Sequence, residues 1–298
     1  MGIDAHSLNW LRYAKSKYHD FGKTITIGRQ ELHVPESVLR AALRLDSSYE
    51  NDKYCELLLR DHFGSSVVDS MDNSGYENAS IIHDMNQPLP PAVGCEYDTV
   101  LDIGCLEHIY NAPQALRNCS LLCKAGGQII HALPANNFCG HGFWQFSPEL
   151  FFSLYSSENG YADTEVFLAD LADLDRWFKV KRPGNGQRIN ISSRTPVYVL
   201  VRTILEGTDF AHDHVQQSDY VYNWTNRPQR SNLQKPDTPG TKKTMRQSIK
   251  ALPSVYRLLS PFYHRYLRYW NQRTYSAQSR LSDSHPGLTE LSIRSLLA

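Results

Sequence analysis

The chain has no long apolar run: stretches such as Phe151-Phe152 and Val197–Val201 fall far short of the roughly 18 residues that cross a bilayer. Met1-Gly2-Ile3-Asp4 does not open a basic segment followed by an apolar one, so neither a membrane-spanning nor a secreted protein is expected. The six cysteines, Cys55, Cys95, Cys105, Cys119, Cys123 and Cys139, contain no CxxC pair. They read as reduced thiols of a cytoplasmic protein, and no metal, zinc least of all, is expected. No internal repeat is present, which sets solenoids and propellers aside. Acidic residues are missing altogether from one long stretch, 241–280.

What is there suits one globular domain plus an appendage: 298 residues, 41% hydrophobic and 21% charged. The overall balance of 31 basic and 31 acidic residues hides an asymmetry. Residues 1–240 hold 21 basic and 29 acidic residues and residues 241–298 hold ten and two, so the two parts carry about −8 and +8. Parts of opposite charge imply different partners.

Element types alternate along the first part. Thr24–Ile27 is a β-branched run that stops at Gly28, followed by Val38, Leu39, Ala42 and Leu43 at helical spacing. A second helix is expected through Tyr54, Leu57, Leu58 and Phe63, then strands at Ser66–Asp69, Ser80–His83 and Tyr97–Ile103. The next helix has Asn111 at its cap position, Pro113 in its first turn and Leu116, Cys119, Leu122 and Cys123 on one face. Gln128–Leu133 is a fifth strand, Ser147-Pro148 opens a helix, and strands near Ala162–Leu168 and Val197–Thr203 complete the pattern. Strands alternating with helices imply a mostly parallel sheet covered on both faces. Ligands of such sheets bind beyond the carboxyl ends of the strands, which directs attention to the residues just after each one.

Those residues carry a resemblance. Val68-Asp69-Ser70, His83–Pro90 and the run from Tyr97 to His108 resemble, in order and spacing, strand motifs of the class I S-adenosylmethionine-dependent methyltransferases, of the type 11-like kind. Leu121–Ile130 resembles that family's passage from helix to fifth strand. The resemblance covers roughly residues 23–205 and implies a Rossmann-like seven-stranded sheet with helices on both faces. It implies S-adenosyl-L-methionine as cofactor. Asp69 then matches the carboxylate that receives the ribose hydroxyls, with Ser70 beside it. Asp84 matches the acceptor from the adenine amino group, with Met85 flanking the ring, and Gly104 and Cys105 match the floor beneath the sulfonium. Asp69 and Asp84 can also simply cap the elements that follow them.

The first glycine motif is degenerate. Family members carry a GxGxG-like loop after the first strand, and here Gly28 is followed by Arg29 and Gln30. Either Arg29 replaces the lost backbone contacts with a charge-assisted fork, or the pocket no longer takes the cofactor. On the acceptor side, His141 lies between two glycines, where a neutral imidazole can take a proton from a hydroxyl. Glu107 and His108 are the other candidate catalytic residues, although histidines in loops are more often structural. His131, inside a strand, reads as a core residue. Phe143, Trp144, Phe146, Phe151, Phe152 and Tyr155 form either an aromatic acceptor wall or core.

The expected division is a methyltransferase-like domain at 1–205, a linker at 206–240 and a basic, aromatic-rich extension at 241–298. Residues 241–280 carry nine Lys and Arg among interfacial aromatics. They can lie on an anionic membrane surface, which would place the protein at the inner face of a membrane, or contact nucleic acid, or pack on the acidic domain; no nucleic-acid-binding module accompanies them. The expected function is methyl transfer to an oxygen or nitrogen of a small-molecule or glycan-type acceptor, because the segment Gly140–Phe152 resembles proteins of surface-polysaccharide assembly. The alternative is a catalytically silent protein of the same fold serving as a binding or scaffold module at a membrane.

Overall fold

The computed structural model describes residues 2–18, 20–45, 52–91, 93–207, 209–212, 215–226 and 286–297, together with Pro261, Phe262, Arg265, Tyr266 and Leu281. The chain begins with a two-residue strand β1 (Gly2–Ile3) and helix α1 (Ala5–Tyr18). A reciprocal cap starts that helix: the Asp4 carboxylate accepts from the Ser7 amide at 2.8 Å, and the Asp4 amide donates to Ser7 Oγ at 2.8 Å. Then follow β2 (Gly22–Ile27), β3 (Glu31–Leu32), α2 (Glu36–Leu43), α3 (Glu56–Phe63), β4 (Ser65–Asp72), β5 (Ile81–Ile82) and β6 (Tyr97–Ile103). Helix α4 (Ala112–Leu122) leads into the long β7 (Cys123–Asn136), and α5 (Pro148–Leu154) into β8 (Tyr161–Asp170), β9 (Arg176–Val180) and β10 (Val197–Leu205). Last come α6 (Ser218–Asn226), β11 (Leu288–Ser292) and a terminal turn of helix α7 (Ile293–Leu296).

The main sheet has the order β11-β9-β8-β10-β7-β6-β2-β4-β5, and β1 pairs with β3 in a separate two-stranded ribbon. Strands β5, β4, β2, β6 and β7 run parallel, and β10 inserts antiparallel between β7 and β8. This is the expected Rossmann-like α/β class, with nine strands among the described residues instead of seven. The two additional strands, β9 and β11, pair antiparallel at the β8 edge. Strand β11 comes from the far end of the chain, and Ile293 just after it is 4% exposed, so residues 288–297 are built into the sheet domain. Helix α6 likewise lies inside the stretch expected to be linker.

Alternation along the central strands sends side chains to two apolar layers. Val100, Ile129, Leu133, Val199 and Val201 meet α4 and α5 on one face through Leu116, Cys119, Phe151 and Tyr155. Leu101, Ile103, Ile130, Ala132 and Leu200 meet α1 and α3 on the other through Leu8, Leu11, Leu58 and Phe63. Both faces are therefore sealed, and the ends of the strands are where a ligand can enter. Among the described residues no helix is long and apolar enough to cross a membrane.

Candidate active site

Strand order reverses between β2 and β6: successive strands run outward to β4 and β5 on one side and to β7 on the other. The crevice beyond their carboxyl ends is the ligand position of an open α/β sheet. A glycine follows each of the two strands. Gly28 (φ 71°) donates its amide to the Met71 carbonyl at 2.7 Å, and Gly104 (φ 72°) donates to the Ala132 carbonyl at 3.0 Å. The left-handed backbone at both points turns the chain away from the crevice without a side chain in the way.

Carboxylates stand at the neighbouring strand ends. Strand β4 continues to Asp72, so Asp69 lies three residues before its end, level with Ile25 in the register. There its Oδ2 accepts from the Tyr97 hydroxyl at 3.0 Å. Ser70 is also inside the strand, 3% exposed, with its amide donating to Ser80 Oγ at 2.7 Å. Asp72 occupies the strand end where Asp69 was expected. Asp84 forms a tight turn of its own, accepting from the Asn86 amide at 2.9 Å and Asn86 Nδ2 at 2.7 Å, and these bonds hold its carboxyl below the usual carboxylate range. Met85 points the other way, into the core at 4% exposure, and its carbonyl accepts from Asn118 Nδ2 at 3.3 Å.

The expected free fork of Arg29 is already engaged. Its Nε donates to Glu56 Oε1 at 2.6 Å, its Nη1 donates to the Glu77 carbonyl at 2.7 Å, and the guanidinium stacks 3.9 Å from the centre of the Tyr54 ring. Gln30 is fully buried, with Nε2 donating to the Ile27 carbonyl at 2.8 Å. Arg29 thus clamps the start of α3 to the loop before β5. Arg29→Ala is expected to weaken S-adenosylhomocysteine and methylthioadenosine by the same factor, since the side chain shapes the loop under both. A selective loss for the ligand bearing the amino-acid carboxylate, read by parallel calorimetric titrations, would return Arg29 to a direct ligand role.

Beyond Gly104 the chain makes a single 3-10 turn, Leu106–His108, which buries Glu107 to 1% exposure. Asp102 holds this turn: its Oδ1 accepts from the amides of Cys105 at 3.1 Å and Leu106 at 3.2 Å. Its Oδ2 meets His131 Nδ1 at 2.8 Å, and His131 Nε2 meets the Tyr155 hydroxyl at 2.7 Å. Asp102 and His131 are fully buried. The expected core histidine is therefore the middle of a hydrogen-bonded line from α5 to the crevice.

Burial, reinforced by the Asp102 carboxylate, pushes the Glu107 carboxyl up to about 8. Glu107 Oε1 lies 3.3 Å from His141 Nε2 and 3.8 Å from His108 Nε2, while Oε2 has no hydrogen-bond partner among the described residues. The two imidazoles stand edge to face with ring centres 4.9 Å apart. Burial and the neighbouring His141 lower the His108 pKa. The loop carrying His141 reaches this position because Gly142 (φ 68°) passes so close that a Cβ there would sit 2.7 Å from the Glu107 carbonyl oxygen. Burial pushes the Cys105 thiol well up, with the carboxylates of Asp102, Glu107 and Asp72 adding to the effect. A cavity of about 230 Å³ opens beside Glu107 and His141, lined also by Asp4, Ser7 and His33 of the N-terminal segment and by Tyr198 of β10.

The aromatic segment divides. Phe146, Phe151, Phe152 and Tyr155 are core, while Phe143 and Trp144 are 69% and 40% exposed. Tyr110, 75% exposed, meets Phe143 edge to face at 6.4 Å. A short aromatic rim therefore stands next to the histidine pair, with Trp144 Nε1 donating to the Ile109 carbonyl at 3.0 Å. Asp72 lies in the strand-exit stretch Asp69–Asp72 that the sequence singles out, without a role of its own there, and the N-terminal residues and Tyr110 are the members of the candidate site that the sequence did not point to. The signal for Asp72 is the apolar Met71 beyond Asp69, which lets the strand run on to it; for the N-terminal residues it is the cap spacing of Asp4 and Ser7.

No protein family's sequence profile matches the chain, and no curated protein does. Solved structures that the chain matches include the N-methyltransferase NodS of Bradyrhizobium japonicum, at 14% identity over 66% of this chain and 93% of that one, with a TM-score of 0.35. An S-adenosylmethionine-dependent methyltransferase of Thermotoga maritima matches at 16% identity over 66% and 88%, with a TM-score of 0.34. The branched-chain polyamine synthase of Thermus thermophilus, in complex with N4-aminopropylspermidine and 5'-methylthioadenosine, matches at 12% identity over 71% and 59%, with a TM-score of 0.37. Likeness this distant carries nothing about substrate or activity, and the fold class rests on the strand order itself.

Proposed function

We propose that the protein is an S-adenosylmethionine-dependent methyltransferase acting on an oxygen or nitrogen of a small-molecule or glycan-type acceptor. The observation that carries the reading is the switch-point crevice, where two left-handed glycines, Gly28 and Gly104, clear the floor between carboxylates at adjacent strand ends. In this reading Asp72 takes the ribose hydroxyls in place of Asp69, since a carboxylate accepts from both. Asp84 takes the adenine amino group, and Gly104 and Cys105 lie beneath the sulfonium. Glu107, His108 and His141 face the acceptor. Direct displacement at a sulfonium methyl depends chiefly on holding donor and acceptor in line and excluding water. The exposed rim of Tyr110, Phe143 and Trp144 supports flat rings or sugar faces as acceptors.

The deciding experiment is calorimetric titration of the full chain with S-adenosylhomocysteine. Saturable binding of one equivalent supports the reading, and no heat at saturating ligand ends it. That second outcome is the expectation of the silent-module alternative, which the engaged Arg29 and the single glycine of the first loop favour.

A peripheral position on an anionic membrane is a second part of the proposal and rests on residues 241–280, which apart from Pro261, Phe262, Arg265 and Tyr266 lie outside the described residues. Phe262 and Tyr266 are 72% and 57% exposed. Each Lys or Arg near an anionic bilayer contributes on the order of 1 kcal/mol, so nine of them with aromatics exceed what a solvated segment needs. The full chain is expected to sediment with vesicles containing phosphatidylserine and to be released as salt rises. Equal sedimentation with neutral vesicles, or none, would remove the membrane from the proposal.

A further inference from the structure

The three groups gathered at the crevice have a chemistry of their own. Glu107, His108 and His141 each offer one ligand atom, and these atoms lie within 4.8 Å of one another. Two imidazoles and one carboxylate form the three-ligand set of a catalytic-type site, which leaves coordination positions open to solvent or substrate. Donors bound to one tetrahedral ion at about 2.0–2.1 Å stand about 3.3 Å apart. The Glu107 Oε1 to His141 Nε2 separation is 3.3 Å and the Glu107 Oε1 to His108 Nε2 separation is 3.8 Å. The third separation, between the two imidazoles, is within 4.8 Å, and the half-exposed imidazoles are the side chains that rotate to close it.

A second observation points the same way. Glu107 is 1% exposed, and its Oε2 has no hydrogen-bond partner among the described residues. Its other oxygen has one long hydrogen bond, to His141 at 3.3 Å, with His108 at 3.8 Å. The charged form of a carboxyl so deeply buried is costly unless a cation or donors satisfy it, and buried polar atoms in native proteins normally have partners. The surrounding backbone is built to hold it there: Asp102 fixes the turn that carries Glu107, and Gly142 brings the His141 loop onto the Glu107 carbonyl with no room for a side chain.

We propose that Glu107, His108 and His141 bind a divalent first-row transition metal, with its open positions facing the 230 Å³ cavity where Asp4, His33 and Tyr198 stand. The imidazole pair argues against magnesium or calcium, which take oxygen ligands. The open face suits an acceptor bearing a hydroxyl or a carboxylate, and in that respect the inference rests on this side of the crevice being the acceptor side. The ligands join adjacent residues to one 33 positions further along, which is why cysteine and histidine spacing did not reveal them.

The test uses the full chain, stripped with a chelator and titrated with zinc in competition with a chromophoric chelator, and separately with cobalt, whose visible absorption reports coordination. One equivalent per chain is expected, with His141→Ala and His108→Ala each weakening zinc by more than about 100-fold, since even supporting residues around a metal change affinity by about 10–100-fold. Glu107→Gln, which keeps the buried shape, is expected to alter the cobalt spectrum. Cys139→Ser, two residues from His141, is expected to bind as the wild type does. The proposal is overturned if the wild type takes no stoichiometric metal, if the two histidine variants bind as tightly as it does, or if Cys139→Ser alone loses the metal. S-adenosylhomocysteine titration of the metal-free chain is scored separately, so failure of the methyl-donor reading and failure of the metal site give different patterns.

Discussion

Asp72→Ala is expected to weaken S-adenosylhomocysteine by about 1.5–3 kcal/mol, the range for hydrogen bonds to a charged acceptor, or roughly 10- to 150-fold in Kd. The same substitution at Asp69 is expected to leave the affinity within about twofold, because Asp69 stands lower in the strand and spends its carboxylate on the Tyr97 hydroxyl. Its cost falls on folding instead: the Tyr97 hydroxyl, on a residue only 4% exposed, loses its acceptor, for about 1–3 kcal/mol. Calorimetry and urea denaturation on both variants separate the two effects. If Asp69→Ala loses ligand and Asp72→Ala does not, the ribose site belongs to the lower carboxylate and the crevice has been placed one turn of the pleat too high.

Asp102→Ala is the substitution expected to damage the fold most. It removes the acceptor of three donors at once, the part-buried amide of Cys105 and the buried amide of Leu106 and imidazole of His131. Each buried polar group left without a partner costs about 1–3 kcal/mol, and breaking a buried carboxylate–imidazole contact is expected to total about 3–5 kcal/mol. That is a large fraction of the 5–15 kcal/mol that holds a typical domain together. Tyr155→Phe, which removes only the far end of the line, is expected to cost about 1–2 kcal/mol and to leave the turn at Glu107 in place. The readout is the urea midpoint at constant slope. Equal losses for the two variants would mean that the line from Tyr155 to Asp102 stabilises as one unit, not through the turn that it ends on.

Several features of the site are legible in the chain itself. A glycine immediately after each of two apolar runs announced the left-handed exits at Gly28 and Gly104. The adjacent Glu107 and His108, and a histidine between glycines at 141, were visible as candidate chemistry. Helix α1 was legible too, in the Asp4 and Ser7 cap and in Leu8 and Leu11 at helical spacing, although it was not among the expected elements. Strands β9 and β11 were not. They are five residues each, and what makes them strands is a ladder between segments more than a hundred positions apart.

The charges show the same division. Arg29 reads from the chain as a free cation after a strand, and it became a clamp because α3 delivers Glu56 to it. His131 reads as core, correctly, but its place between Asp102 and Tyr155 depends on the pairing of β6 with β7 and on the packing of α5. The aromatic run from Phe143 to Tyr155 divides between crevice rim and core only once α5 has docked.

By itself the sequence determined the alternation of elements, the parallel α/β class, the strand ends and the residue types gathered near them. These follow from periodicity, turn chemistry and capping, all of which act between residues a few positions apart. Only the tertiary structure decided that Asp72 ends its strand while Asp69 stands inside it, that Arg29 is engaged, and that Glu107, His108 and His141 meet. Those outcomes turn on strand register, where a shift of one residue exchanges the faces of the sheet, and on close backbone approach between distant segments. Neither is encoded in any single window of the chain.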